Sequence, residues 1–87
     1  MTDQQEEVLT EYVELVRFMA TALLPDDVAV EVKGSAAADQ LQIDLLVPEA
    51  HRGRVIGKGG RIARAMRTIL TNAALPNHQP VALDIVD

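Results

Sequence analysis

Apolar residues recur at three- and four-residue steps near the start of the chain, at Val8, Tyr12, Leu15, Val16, Met19 and Leu23. This period gathers them on one face of a helix over residues 3–24. Thr2 and Gln5 have capping-box spacing, and Asp3, Glu6 and Glu7 suit the positive end of the helix dipole. Pro25 stops the helix. Residues 28–33, Val-Ala-Val-Glu-Val-Lys, then alternate apolar and polar, which predicts a strand. The small residues of 34–40 predict a loop. A second strand over 41–47 puts Leu41, Ile43, Leu45 and Val47 on one face. Pro48 ends it and can open a helix, where its missing N–H costs nothing. A short helix over 49–56 stops at Gly57. A longer one, over about 61–74, carries an apolar stripe of Ile62, Met66, Ile69, Leu70 and Ala73. Arg61, Arg64, Thr68, Thr71 and Asn72 face away from that stripe, with Arg67 at its margin. Residues 75–80 form a turn, and Val81, Leu83 and Ile85 mark a last strand over 81–86.

The order α-β-β-α-α-β predicts an α+β fold in two layers, with a three-stranded sheet and the helices packed on one face. At 87 residues the chain is one domain. The N-terminal helix and first strand take 3–34, and a β-α-α-β core takes 41–86. With 48% hydrophobic and 24% charged residues, the composition is that of a globular and not a disordered chain. There is no cysteine, which excludes disulfides and thiolate metal sites. The acidic start is the reverse of a secretory signal, and no apolar run approaches the roughly 18 residues that span a membrane. A cytoplasmic protein without membrane contact is expected.

A net charge of −5 argues against a nucleic-acid partner until its distribution is read. Residues 50–83 hold no acid and six bases: Arg52, Arg54, Lys58, Arg61, Arg64 and Arg67. The remaining residues hold all 13 acids, against only Arg17 and Lys33. Screening cuts off charges beyond about 10 Å at ordinary salt, so the local basic patch governs contact with phosphate.

The patch contains Val55-Ile56-Gly57-Lys58-Gly59-Gly60-Arg61-Ile62, a turn of three glycines and a lysine between two helices. Glycine lets a backbone or a phosphate approach closely, and backbone N–H groups beside a helix N-terminus form an anion site. Lys58 adds a charge at the tip, and Arg61 and Arg64 extend it along the next helix. A Walker A loop requires G-x-x-x-x-G-K-[ST] after a strand. Here Gly53 to Gly57-Lys58 is one residue short, and Gly59 stands where the hydroxyl belongs. A Rossmann loop requires a glycine where Ile62 stands. Both fail on spacing and on context.

What remains is helix, G-x-x-G, helix, flanked by strands. This resembles a KH domain, whose signature is [VI]-I-G-x-x-G between two helices. The helix and strand ahead of the core resemble the type II arrangement. The run Val55-Ile56-Gly57-Lys58-Gly59-Gly60-Arg61-Ile62-Ala63-Arg64-Ala65-Met66-Arg67-Thr68, in a lone domain behind an acidic helix, resembles the bacterial KhpA family of small RNA-binding proteins. The resemblance implies that the loop clamps about four nucleotides of single-stranded RNA. Gly57, Lys58, Gly59 and Gly60 would grip the sugar-phosphate backbone. Val55 and Ile56 would form an apolar floor, and Arg61 and Arg64 would flank the path. The strand over 41–47 would be the opposite wall, with the loop over 34–40 at its rim. It further implies a homodimer, or a heterodimer with a larger KH-containing protein of the KhpB type. A role as an RNA chaperone or regulator, linked to cell shape, is implied as well.

Other readings are open at the level of residues. The glycine turn could be only an interhelical turn, and the arginines a solvated face. The chain could be a dimerisation or adaptor subunit that takes RNA weakly or only with a partner. His51 and His78 lack a metal-ligand cluster around them and are expected at the surface. Tyr12 and Phe18 are expected to pack in the core and not to stack on bases. No nucleophile-base pair or metal set is present, so neither an enzyme nor a cofactor is expected.

Overall fold

The computed structural model describes residues 3–37, 39–77 and 79–86. The capping role expected of Thr2 and the surface position expected of His78 lie outside the described residues. Helix α1 (Asp3–Leu23) is followed by strands β1 (Glu31–Ala36) and β2 (Leu41–Leu46), then helix α2 (Glu49–Ile56). A short 3-10 turn (Lys58–Gly60) leads into helix α3 (Arg61–Ala74). A second one (Leu75–Asn77) precedes strand β3 (Val81–Val86). The sheet order is β1-β2-β3, with β1 antiparallel and β3 parallel to β2. This is the α+β order expected from the pattern, with the mixed sheet and flanking helices that the resemblance to a type II KH domain implies.

The core follows from the alternation of β2. Leu41, Ile43, Leu45 and Val47 are all buried. Strand side chains point alternately to the two faces, so these four turn toward one layer. Val32 stands opposite Leu45, and Leu83 beside Ile43, on the same face. From above, α1 adds Leu9, Tyr12, Val16 and Ala20, and α3 adds Ala63, Met66, Leu70 and Ala74. Burying one such side chain contributes about 1.5–3 kcal/mol, so this single layer carries the fold.

Three expectations need correction. The first strand runs over 31–36 and not 28–33. Val28 and Val30 alternate as strand residues do, but they pack on the core from the connection ahead of the strand. The ladder with β2 instead carries β1 through Gly34, Ser35 and Ala36. The expected loop therefore shrinks to a turn in which the Ala37 N–H donates to the Gln40 carbonyl at 2.8 Å. Second, Phe18 is 72% exposed. It lies two residues past Val16, and at 100° per residue that is the opposite side of the helix. Third, the buried line of α3 keeps Met66 and Leu70, with Ile62 packed against the core, but differs at its other positions. Ile69 and Ala73 are exposed, while Ala63 and Ala74 are buried.

Gly34 explains how α1 lies on β1. A Cβ there would come within 2.8 Å of Val13 Cγ2 and 2.9 Å of Leu9 Cδ1, so only glycine admits the helix this close. No helix among the described residues is long and apolar enough to cross a membrane.

Candidate nucleic-acid interface

The loop between α2 and α3 is built by three glycines with positive φ. Gly57 closes α2, its N–H donating to the Gly53 carbonyl at 2.8 Å, and adopts φ 76°, ψ 171°. A Cβ at Gly57 would lie 2.7 Å from Ile62 Cγ1, so this glycine packs on the first turn of α3. The Gly60 N–H then donates to the Gly57 carbonyl at 3.1 Å. Gly59 (φ 65°) and Gly60 (φ 79°) are left-handed, but a Cβ on either would meet nothing within 4 Å. They present bare backbone to the outside.

The electrostatics favour an anion here. Gly60 caps α3 without any side-chain hydrogen bond, so no side chain covers the N–H groups of its first turn. The first turn of α3 holds no acid, whereas that of α1 holds Asp3 and Glu6. The positive end of the α3 dipole is left uncompensated. Lys58 and Arg61 are exposed and form no ion pair among the described residues. Arg64 is exposed and bends back, its Nη2 donating to the Gly59 carbonyl at 3.1 Å. That contact holds a guanidinium beside the loop.

The floor divides in two. Val55 is 0% exposed, so it supports the loop from beneath and offers no surface to a ligand. Ile56 is half-buried and keeps an exposed side.

The wall is not β2. That strand is the middle one, with both edges hydrogen-bonded to neighbours. The strand beside α3 is β3, and the two run in opposite directions. Arg67 Nε donates to the Leu83 carbonyl at 3.1 Å, while Thr71 and Ala74 lie near Val81. The loop therefore sits toward the Val86 end of β3, and the β1–β2 turn toward the Val81 end, where Leu41 pairs with Val81. Between α3 and β3 lies a cavity of about 210 Å³ lined by Arg67, Leu70, Thr71, Val81, Ala82 and Leu83. A second, of about 230 Å³, continues it past Thr71 and Val81. Sequence reasoning missed this wall and the part of Arg67 in it. The three-residue spacing of Arg61, Arg64 and Arg67 was its only signal.

Residues outside the loop add little chemistry. His51 is half-buried, and no three His, Cys, Asp or Glu residues cluster to hold a metal among the described residues. Tyr12 is buried in the core and has no face open to a base.

Comparison with known proteins bears on the same region. The profile of the "KhpA/KhpB, KH domain" family matches residues 13–85. The RNA-binding protein KhpA of Caldanaerobacter subterraneus subsp. tengcongensis is 41% identical over 73 residues, covering 84% of this chain and 97% of the relative. The RNA-binding protein KhpA of Clostridium perfringens is 40% identical over 76 residues, with coverage of 84% and 97%. Among solved structures, Era in complex with MgGDPNP and nucleotides 1506–1542 of 16S ribosomal RNA superposes with a TM-score of 0.56 at 22% identity. That match covers 85% of this chain but only 28% of the Era chain, and it speaks for the fold alone.

Proposed function

The chain belongs to the KhpA/KhpB family of KH domains, and from that premise we propose that it binds single-stranded RNA in the groove between the glycine loop and β3. The relatives are named for RNA binding and not for a catalysed reaction. In this reading Gly57, Lys58, Gly59 and Gly60 take the phosphates, and Arg61 and Arg64 flank the strand. Ile56 forms the apolar floor over Val55. The observation that carries the reading is the N-terminus of α3, which no side chain caps, behind Gly59 and Gly60. Both glycines are open to solvent, with three exposed cations around them. A KH loop of this kind grips about four nucleotides.

The decisive experiment is fluorescence-anisotropy titration of short single-stranded RNA with the wild type and with Lys58→Asp/Gly59→Asp. Lys58 is exposed and a side chain at Gly59 meets no neighbour, so the variant replaces charge without disturbing packing. Binding should be lost. Survival of the affinity in the folded variant would remove the loop from the site.

A second reading rests on three exposed apolar side chains, Phe18 at 72%, Leu75 at 62% and Ile69 at 49%. These favour a protein partner, either a second copy or a larger KH-containing protein, with which the chain acts on RNA in the cytoplasm as a chaperone or regulator. Sedimentation of the protein with and without RNA separates a free binding module from an adaptor.

A further inference from the structure

Arg67 occupies the mouth of the cavity between α3 and β3 and is tied there by one bond, from Nε to the Leu83 carbonyl at 3.1 Å. A guanidinium carries five N–H donors in a rigid fork and accepts nothing. One donor is committed to Leu83. The two Nη groups make no hydrogen bond or ion pair among the described residues. No acid neutralises the group from either packed element. Helix α3 holds none, and on β3 Asp84 alternates to the opposite face of the sheet from Leu83, in register with Asp44. The other side chains of the cavity are apolar apart from the Thr71 hydroxyl, with Leu70 and Leu83 buried at its base, and the outward backbone of the β3 edge completes it.

The cavity suits one flat ring. A volume of about 150 Å³ is enough for benzene, and this one measures about 210 Å³. A base entering it meets the two free Nη groups of Arg67 beside the outward backbone of the β3 edge, where the Leu83 carbonyl already receives Nε. Adenine offers the fork only N7 and sets its N6 amino donor against the second prong. Guanine brings two acceptors, O6 and N7, spaced for a two-pronged guanidinium. We infer that Arg67 is a specificity-determining residue that makes this groove select a base by its acceptors, guanine above adenine. The inference rests on the RNA-binding reading above and names the base chemistry of that same groove.

The test uses the whole chain and four fluorescent RNA hexamers, UGUGUG, UAUAUA, UCUCUC and UUUUUU, by anisotropy at fixed salt. The wild type should favour UGUGUG over UAUAUA by about thirtyfold, the middle of the range for one two-pronged contact. Replacing guanine by 7-deazaguanine, which lacks N7, should remove most of that preference. Arg67→Lys keeps the charge but not the fork, and should bring the two hexamers within about twofold of one another. Arg67→Met also uncovers the Leu83 carbonyl, and should shift the preference toward adenine and cytosine. Circular dichroism establishes that both variants are folded, and Arg67→Lys carries the test if Arg67→Met is not. Equal binding of all hexamers by the wild type would overturn the inference and leave the RNA-binding reading standing. So would a guanine preference that persists in Arg67→Lys. Failure of the wild type to bind any hexamer would overturn both.

Discussion

A methyl group on Gly57 would stand 2.7 Å from Ile62 Cγ1, on a backbone at φ 76°, ψ 171° that side chains rarely adopt. A methyl group on Gly59 would touch nothing, and its left-handed backbone carries only the ordinary penalty. The two glycines are therefore needed for different reasons, one for packing and one for exposure. Gly57→Ala should cost about 3 kcal/mol, from backbone strain together with overpacking. Gly59→Ala should cost about 1 kcal/mol. Urea unfolding followed by circular dichroism measures both, and equal losses would show that Gly57 is not gripped by Ile62. The loop was legible in the sequence because glycine spacing reports backbone demands directly. The burial of Val55 was not, since an apolar residue beside the loop reads alike whether it faces a ligand or the core.

At the scale of elements, α1, α2, α3, β2 and β3 lie within a residue or so of where periodicity put them. Strand β1 does not. Its last three residues, Gly34, Ser35 and Ala36, have little strand propensity of their own, and pairing with β2 makes them a strand. Context of this kind is invisible to a reading of single segments. The groove wall was missed for a related reason, since strand order is a property of the assembled sheet. Gly34 also sets the distance between α1 and β1. Gly34→Ala should destabilise the fold by about 1–3 kcal/mol by pressing on Val13 and Leu9. Adding Val13→Ala should make the pair less costly than the sum of the single changes. Strict additivity in a double-mutant cycle would mean that the helix does not rest on this glycine.

The whole molecule is 37 Å long and 23 × 20 Å across. Leu9 and Val13 sit over Gly34, and the far end of α1 leads back to Glu31, so α1 runs against β1. Its acidic first turn lies at the end of the sheet opposite the glycine loop. At physiological salt, charges act over about 8 Å. The loop cations therefore form a locally positive surface despite a net charge of −5. RNA affinity should fall with salt on a log–log slope of about −0.7 per phosphate neutralised, roughly −2 to −3 for three or four contacts. Lys58→Asp should flatten that slope by about one contact. A slope near zero in the wild type would mean that the loop does not meet phosphates.

The parallel pairing of β2 with β3 has a consequence for timing. Everything that attracts an anion, from Arg52 to Arg67, leaves the ribosome before Val81. The edge that Arg67 latches onto does not exist until β3 has been made and has docked. At about 5–20 residues per second, roughly one to five seconds separate Gly60 from Val86. During that interval the nascent chain carries its cations without the cavity that would read a base. On the proposal that Arg67 selects the base, the chain is born indiscriminate and selectivity is the last property it acquires.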